Sequence, residues 1–569
     1  MDKVASPSTA EQGKLASNYL RGTLAEELAN TETLFSKAAV GVLKFHGTYQ
    51  QDDRDVRKGG EKRYFAMVRV GVPGGVLTPE QYLSLDRLAD IGDGSLRITT
   101  RQDIQFHFVP KLRIKELIRG INDAYLTTLA ACGDVVRNVI SCPAPFESDQ
   151  RKDIFPIIRF LSKSLKPKTT AYYDIWMDGA RVASSEEAQA DEVEPLYGPT
   201  YLPRKFKIGF TFPGDNTVDL YANDIGIVPH FEDESLTGFT ILAGGGMGQS
   251  AGVKASHPRL ADPICSIGPS REELLEIASA IVSIHRDFGN RSNRKLARLK
   301  YVLDEWGVEK FKAELEQRVG RKLAPPKPLS WHRASDYLGW HRQGTDSEGK
   351  PIWFAGVRVI SGRVKDFDRN QRIRTGIRTA VEQFGLTVGL TCQQNLYLCG
   401  IRDQDRSAVA AILREHGIAE PETLPPVLRH ALACPALPTC GLAITESERI
   451  MPEVVAEIQA ELNAAGLRND VVDLRTSGCP NGCSRPYTAE IGIVGASIDM
   501  YTIYLGASPL GTRLGSVFAQ HVKRHEIAPR LRPVIEYYRD ARVPGERFGD
   551  FCFRVGMEAL REQAVLTAA

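Results

Sequence analysis

Hydrophobic and polar positions follow two alternating periods along this chain. The segment "PEQYLSLDRLADI" (Pro79 to Ile91) has apolar residues at helical spacing, and it stands between "MVRVGVPGG" and "SLRITTRQ", which have the period-two pattern of strands. The segment "ELLEIASAIVSIHRDFG" (Glu273 to Gly289) predicts a long helix for the same reason. This succession predicts an α+β protein built from strand–helix–strand modules.

The pattern repeats, because segments of the first half resemble segments of the second half in the same order. The matches are separated by roughly 260 to 290 positions, and one of them places Cys142 where Cys434 stands. The pairs are "RNVISCPAP" with "RHALACPALP", "NDIGIV" with "AEIGIVG", "GFTILAGGGMG" with "YTIYLGASPLG", and "GSLRITTRQDIQFHFV" with "GLTVGLTCQQNLYLCGI". They predict an internal duplication with pseudo-two-fold symmetry, in which a strand–helix–strand module precedes an α+β module in each half.

The duplication suggests a division of the chain into six segments. A proline cluster in "RVGRKLAPPKPLSWHRASD" (Arg318 to Asp336) predicts the linker between the halves. The predicted segments are an N-terminal extension (1–55), a first half-domain (56–135), a first α+β domain (136–317), the linker (318–345), a second half-domain (346–425) and a second α+β domain (426–569).

Composition narrows the class of protein. The 569 residues are 42% hydrophobic and 25% charged, and the net charge of +2 argues against a general nucleic-acid binder. We find no apolar run that predicts a membrane span and no secretory signal. Ten scattered cysteines do not resemble a disulfide framework. We therefore expect a cytoplasmic protein whose reduced thiols are free to bind metal.

Four cysteines stand on two loops rich in proline and glycine. Cys434 and Cys440 lie in "ACPALPTCG", and Cys479 and Cys483 lie in "SGCPNGCSRP" 38 residues later. Such loops can direct thiolates to one point and turn backbone amides toward the sulfur atoms. The spacing favours an iron–sulfur cluster, while structural zinc, unliganded buried thiols and two disulfides remain as alternatives.

These cysteine loops resemble the cluster signature of the sirohaem-dependent sulfite and nitrite reductases. The resemblance extends along nearly the whole chain, and the N-terminal motifs favour the haemoprotein of the assimilatory sulfite branch. Those motifs are "SNYLRGTLAEEL", "KFHGTYQQDDRDVR", "TYLPRKFK" and "RDFGNRSNRKLARLKY". The family implies a duplicated fold of ferredoxin-like α/β modules and two α+β modules, with the cofactors between the halves.

The resemblance also implies the cofactors and the reaction. Cys434, Cys440, Cys479 and Cys483 would hold a [4Fe–4S] cluster, and Cys483 would also bridge the cluster to the iron of sirohaem. The implied reaction is the six-electron reduction of sulfite to sulfide for cysteine synthesis. Reduction of nitrite to ammonia on the same scaffold is the alternative, and a non-catalytic cluster-binding or zinc-binding protein is a third hypothesis.

The family pattern implies a cationic site for the anion. Arg69 and Arg137 match its anion-binding arginines, and Lys205 and Lys207 match its lysines. On an extended segment these lysines would point to one side and Phe206 to the other. Arginine can fork around an oxyanion, whereas lysine can also release a proton, so we expect the lysines to be the proton donors.

Four further residues are expected to bind the cofactor. Arg97 and Arg101, in "LRITTRQ", would meet the carboxylates of the macrocycle, as would Gln105 and His107. A histidine between two phenylalanines is also common in a hydrophobic core, which is the alternative for His107.

A glycine-rich motif and the source of electrons are the two remaining features. "GGGMGQSAG" loosely fits a dinucleotide fingerprint, but a basic, proline-containing segment follows it, so we expect a backbone-close loop near the cofactor. We see no flavin or nicotinamide domain in the sequence. We therefore expect a separate electron donor, with an NADPH-dependent flavoprotein favoured over ferredoxin.

Overall fold

The computed structural model describes residues 6–57, 60–146, 149–168, 174–177, 180–184 and 194–566. Within these ranges, four five-stranded sheets form two matched pairs. Sheets 1 and 2 are antiparallel throughout. Sheet 1 has the spatial order Thr48–Asp52, Tyr64–Val70, Ile104–Val109, Leu96–Ile98 and Arg363–Val364. Sheet 2 has the order Gly339–Thr345, Pro351–Val357, Leu396–Arg402, Thr387–Leu390 and Val76–Leu77.

The two halves exchange their last strands. Arg363–Val364, from the second half, pairs with Leu96 and Arg97 of sheet 1. Val76–Leu77, from the first half, pairs with Val388 and Gly389 of sheet 2. Each sheet is therefore completed by the other half, which fixes the two halves against each other. The predicted duplication is confirmed.

Sheets 3 and 4 repeat each other in the same way. Both combine two parallel pairings at one end with two antiparallel pairings at the other. Sheet 3 has the order Val136–Ile140, Phe206–Phe210, Ile225–Glu232, Ser235–Ala243 and Asp262–Ile267. Sheet 4 has the order Leu432–Ala433, Leu474–Ser477, Ile491–Ser497, Met500–Leu505 and Ser516–Lys523. Two short ribbons pair Asp174–Met177 with Ala180–Ser184 and Gly214–Asp215 with Trp331–Arg333.

Helices cover the sheets, and the two predicted helices are confirmed. Pro79–Leu88 begins with a capping box between Thr78 and Gln81, and the N-cap side chain of Ser270 precedes Arg271–Phe288. The α-helices in the described ranges are Thr9–Ala16, Leu24–Ala29, Lys37–Leu43, Pro79–Leu88, Ile114–Asp123, Asp149–Ser164, Arg271–Phe288, Leu299–Val319, Ile373–Phe384, Arg406–Glu415, Pro426–His430, Met451–Ala464, Ile527–Ala541, Phe548–Val555 and Met557–Leu566.

The predicted extension and linker both contribute strands. Thr48–Asp52, within the extension, is the edge strand of sheet 1, and Gly339–Thr345, within the linker segment, is the edge strand of sheet 2. Residues 1–5 of the predicted extension lie outside the described residues. No helix in the ranges given above is long and apolar enough to cross a membrane.

Two large hydrophobic cores lie on either side of a polar interface. One core contains buried residues from Leu20 to Ile418, and the other contains buried residues from Val427 to Ala564. Buried ion pairs connect them, among them Arg97 with Glu448 and Arg475 with Asp219. Buried polar groups at an interface need partners, so this boundary is where a charged cofactor can be accommodated.

Candidate cofactor and anion site

The two cysteine loops contact each other through their backbones. The amide of Gly478 donates to Cys434 Sγ at 3.3 Å, and Gly478 O accepts from the amides of Ile444 and Thr445 at 2.8 and 3.1 Å. A Cβ atom at Gly478 would stand 2.5 Å from Thr445 O, so only glycine fits. This close approach joins the two loops where they leave the strands Leu432–Ala433 and Leu474–Ser477 of sheet 4.

The four thiols differ in their exposure. Cys434 and Cys479 are buried and Cys440 is half-buried, whereas Cys483 is exposed. Burial, followed by the charge of Cys483, raises the pKa of Cys434 to about 12 and those of Cys440 and Cys479 to about 11. All three thiols therefore lie within the electrostatic field of Cys483. In the described ranges, no three His, Cys, Asp or Glu side chains are grouped closely enough to hold a single metal ion.

A buried ion-pair triad fixes the Cys483 loop against the first half. Asp219 Oδ2 accepts from Arg475 Nη1 at 2.5 Å and also from Arg485 Nε. Arg485 further donates to the carbonyls of Thr100 and Cys392 at 3.1 and 2.9 Å. Burial raises the pKa of Asp219, but the two guanidinium groups outweigh it and hold that pKa below its usual value. Asp219 is therefore a carboxylate that holds both arginines in place.

The N-terminal extension holds the other cysteine loop. Arg54 Nη1 donates to Ala443 O at 2.6 Å and to Cys440 O at 3.4 Å, and the Arg54 amide donates to Pro438 O at 3.3 Å. These contacts link the loop to the end of the edge strand of sheet 1. Sequence reasoning missed this role, because the motif that contains Arg54 has no spacing that indicates a contact with the cysteine loop.

The glycine loop between the strands Ser235–Ala243 and Asp262–Ile267 of sheet 3 lies against the Cys483 loop. The Gln249 amide donates to Pro480 O at 2.9 Å. Lys300 Nζ donates to the carbonyls of Gly248 and Gly246 at 2.9 and 3.2 Å and also to that of His257. The next helix begins only at Arg271. The predicted backbone-close loop is confirmed, and the dinucleotide fingerprint has no helix to complete it.

Lys205 and Lys207 stand on one side of their segment, as the sequence predicts. Phe206 between them is fully buried, while both lysines are half-buried. Burial, and then the charges of Arg204 and Arg137, lower the pKa of Lys205 to about 7. Burial and the charge of Arg101 hold the pKa of Lys207 well below its usual value. The charge of Cys483 raises both pKa values, so both ammonium groups lie within its field.

Arg69 faces the same space from sheet 1. Gln105, with its carbonyl oxygen toward the guanidinium, accepts from Arg69 Nη2 and Nε at 2.5 and 3.1 Å. Burial disfavours the charged form, but the charges of Cys132 and Asp103, among others including Cys483, raise the pKa of Arg69. Arg137 donates from Nε and Nη2 to Gly133 O at 3.3 and 3.2 Å. It lowers the pKa of Lys205, so it lies within the field of the same site.

The expected macrocycle-binding residues have different surroundings. Arg97 pairs with Glu448 at 3.1 Å and donates to Ala433 O at 3.0 Å. Arg101 donates to Asn223 Oδ1 and to the Ile208 carbonyl at 2.7 and 3.0 Å and also to the Asn138 carbonyl, whereas its Nε has no partner in the described residues.

His107 is 2% exposed, and neither ring nitrogen has a partner in the part of the chain that the structure describes. Burial, then the charges of Arg363 and Arg97, hold its pKa well below the usual value. His107 is therefore a neutral imidazole with unused hydrogen-bonding atoms. It is not the satisfied core histidine that was the alternative.

The sequence reasoning missed two neighbours of the arginines. The Tyr49 hydroxyl lies against the Cys132 thiol, and burial and the charge of that thiol raise the pKa of Tyr49 to about 12. Asp103 is buried with Arg69 Nε 4.0 Å from its Oδ2. Cys132 has no sequence neighbour at ligand spacing. It lies on the loop before the strand Val136–Ile140, and only the packing of this loop against the strand Thr48–Asp52 brings it to Tyr49.

Known proteins share these features over nearly the whole chain. The description "Nitrite and sulphite reductase 4Fe-4S domain" matches residues 159–323, and "Nitrite/Sulfite reductase ferredoxin-like half domain" matches residues 57–124 and 346–416. A sulfite reductase [ferredoxin] of Synechococcus elongatus is 42% identical over 99% of this chain and 92% of its own. A sulfite reductase [NADPH] hemoprotein beta-component of Paenibacillus sp. (strain JDR-2) is 43% identical over 97% of this chain and 96% of its own.

The NirA protein of Mycobacterium tuberculosis has the same fold. Its structure aligns with a TM-score of 0.78 and 24% identity, covering 98% of each chain. The two ferredoxin-like matches coincide with the modules that contain sheets 1 and 2, so the duplicated α+β fold and the similarity agree. The chain belongs to the nitrite and sulfite reductase family, in which its curated relatives are sulfite reductases.

Proposed function

We propose that this chain is the haemoprotein of an assimilatory sulfite reductase, which reduces sulfite to sulfide with six electrons at a sirohaem coupled to a [4Fe–4S] cluster. The observation that carries the proposal is the position of Cys483. Its exposed thiol faces the side on which Lys205, Lys207 and Arg69 lie. The names of the relatives support sulfite rather than nitrite as the substrate.

The residues of the two cysteine loops fit an iron–sulfur cluster. Cys434, Cys440, Cys479 and Cys483 would be its four thiolate ligands, and the amide of Gly478 already donates to a sulfur atom. Asn481 Nδ2 also donates to Cys479 Sγ, at 3.4 Å. Amide donors at cysteine sulfur are a feature of such sites, since they stabilise the negative charge of the cluster.

The surroundings of Cys483 fit a tetrapyrrole that bears carboxylates. The Cys483 thiolate would hold its iron, and His107, Arg97, Arg101 and Gln105 would contact the ring or its carboxylates. The two unpartnered nitrogens of His107 and the unpartnered Nε of Arg101 support this assignment, because buried polar atoms require partners. When bound, the cluster would relay electrons from the donor protein and sirohaem would supply the metal site for the sulfur atom.

The chain's own residues would bind the anion and supply protons. Arg69 and Arg137 offer guanidinium forks, and the two lysines add positive charge at the start of the strand Phe206–Phe210, next to the strand of Arg137. A pKa of about 7 for Lys205 allows it to release and regain a proton at neutral pH. Each cleavage of an S–O bond consumes protons as water forms, so Lys205 and Lys207 are the proposed donors.

A visible spectrum of the purified protein tests the cofactors, before and after sulfite is added under reducing conditions. We expect bands of sirohaem that shift with sulfite, and iron in both cofactors.

Cys483→Ser should remove the coupling of the cofactors and the activity, whereas the control Cys399→Ala, at a buried strand position, should retain both. Retained activity in Cys483→Ser would refute the bridging role. A higher kcat/KM for nitrite than for sulfite would refute the substrate.

We also propose that a separate NADPH-dependent flavoprotein delivers the electrons in a cytoplasmic location. The relative from Paenibacillus sp. bears the [NADPH] name, and thiolate ligands persist in a reducing compartment. The relative from Synechococcus elongatus bears the [ferredoxin] name at nearly equal identity, so both donors must be compared. Turnover with ferredoxin and none with the flavoprotein would refute this choice.

A further inference from the structure

A buried carboxyl group stands within the proposed anion site. Asp103 is 1% exposed and ends a tight turn between two strands of sheet 1. The Thr99 amide donates to Asp103 O at 2.9 Å, and the Asp103 amide donates to Thr99 Oγ1 at 3.1 Å. This turn fixes the side chain on the side of the arginines.

The carboxyl group is surrounded by positive charge and contacts the side chain of Asn138, but no arginine in the described residues forms a hydrogen bond with it. Its Oδ1 has no partner in the described residues, and its Oδ2 lies 4.0 Å from Arg69 Nε. Gln105 supplies the acceptor that holds the Arg69 guanidinium. Asp103 is therefore not required to position Arg69.

The groups that face Asp103 come from three elements. Arg69 faces it from the strand Tyr64–Val70, Arg101 from its own turn, and Arg137 and Asn138 from the strand Val136–Ile140. Burial raises the pKa of Asp103 to about 6 although the three arginines lower it. The group is thus an anion at neutral pH, and it becomes neutral as the pH falls through about 6.

We propose that Asp103 is an affinity-setting residue, whose negative charge weakens the binding of oxyanions at the cationic site. This inference rests on the proposed function of that site. Two arginines and two lysines without an opposing charge would bind substrate and competing anions tightly and release them slowly. Tight binding of the ground state does not accelerate the reaction, so a built-in opposing charge favours turnover.

The experiment uses inorganic sulfate as the probe, because sulfate remains a dianion over the pH range of the test. Binding to purified, cofactor-loaded protein is measured by isothermal titration calorimetry between pH 5 and 8. We expect Asp103→Asn to bind sulfate about 5- to 10-fold more tightly than the wild type at pH 7.5. Asp103→Glu should stay within about twofold, as should the control Asp123→Asn, which removes a charge at the end of the helix Ile114–Asp123.

The pH dependence separates an electrostatic role from a structural one. The ratio of the two affinities should approach one below pH 6, where the wild-type carboxyl group is protonated. Equal affinities at pH 7.5, or a ratio that does not change with pH, would overturn the proposal. If Asp103→Asn accumulates without sirohaem, Lys205→Met decides instead: with that lysine removed, the sulfate affinity should still fall as the pH rises from 5 to 6.5, and an affinity that does not change would overturn the proposal.

Steady-state kinetics distinguish a failure of the inference about Asp103 from a failure of the proposed sulfite reductase function. Asp103→Asn should lower the KM for sulfite, with a smaller effect on kcat. If the wild type reduces sulfite and the variant binds sulfate no more tightly, this inference alone fails. If the variant binds sulfate more tightly but the wild type does not reduce sulfite, the proposed function fails instead.

Discussion

Replacing Asp219 by asparagine would test the ion-pair triad of Asp219, Arg475 and Arg485. This triad connects the first half, which contains the cationic residues, to the second half, which contains the four cysteines. Asp219 is 2% exposed, and its partners Arg475 and Arg485 are 3% and 6% exposed. Asparagine has nearly the same size and keeps an acceptor oxygen, so the substitution removes charge with little change in packing. Two guanidinium groups would remain buried without a counter-charge.

The expected loss follows from that burial. Removing one partner of a buried ion pair costs about 3–5 kcal/mol, because the remaining charge stays desolvated. The retained acceptor of asparagine places this variant near the lower end, so we expect the free energy of unfolding to fall by about 3 kcal/mol. Because Arg485 also binds Thr100 and Cys392, the Cys483 loop should loosen first.

Urea unfolding can be followed by circular dichroism and by cluster absorbance in the same samples. Cluster absorbance in Asp219→Asn should decay at a lower urea concentration than the dichroism signal. Asp405→Asn, which breaks the exposed pair between Arg402 and Asp405, is the matched control and should change the free energy by no more than about 0.5 kcal/mol. A loss below about 1 kcal/mol in Asp219→Asn would refute the argument.

Two further substitutions test the anion site and the Cys440 loop. Lys205→Met should retain both cofactors and lower kcat/KM for sulfite about 100-fold. A pKa of about 7 means that Lys205 is charged below pH 7 and neutral above it. The KM of the wild type should therefore rise through pH 7, while the KM of the variant stays constant. Loss of sirohaem from this variant would contradict the role. Arg54→Met should shorten the lifetime of the cluster in air about 3- to 10-fold, since the carbonyls of Ala443 and Cys440 lose their donor. The exposed control Arg57→Met should leave that lifetime unchanged. Equal lifetimes of Arg54→Met and the wild type would contradict the role of Arg54 in holding the Cys440 loop.

The sequence predicts the parts of this structure that depend on local period. The helices near Pro79 and Arg271, the duplication and the opposite orientation of Phe206 and Lys207 all follow from spacing along the chain. The exchanged strands could not be predicted from the sequence, because two-residue strands such as Val76–Leu77 are too short to show a period. Their position is determined by pairing partners that are far away in the sequence, in the other half of the chain.

The residues of the site also fall into two groups, those that the sequence identifies and those that only the structure reveals. Motif spacing identifies the four cysteines, and the resemblance identifies the cationic residues, but neither indicates what holds them. Asp219 and Arg54 act through contacts with the other half of the chain, and a single charged residue has no pattern that could predict such a partner. Asp103 is adjacent to Gln102 in a recognised motif, yet only the structure shows that it lies among arginines.

Equivalent buried pairs show what the two halves retained. Asp224 pairs with Arg298 at 2.7 Å and accepts from the Lys207 amide at 2.8 Å. Glu490 pairs with Arg547 and accepts from the Asp473 amide at 2.9 Å. The register of sheets 3 and 4 makes these positions equivalent.

A buried carboxylate that lost its arginine would destabilise either half, which explains why both pairs persist. The residues whose amides they bind are Lys207, which belongs to the proposed anion site, and Asp473, whose carboxylate lies 4.0 Å from His430. There, a lysine in one half corresponds to an aspartate in the other, and Cys142 in one half corresponds to Cys434 in the other, without the three further cysteines. A macrocycle between two facing copies needs a thiolate on one side and cations on the other, so divergence of these positions on a shared scaffold supplies what two identical halves could not.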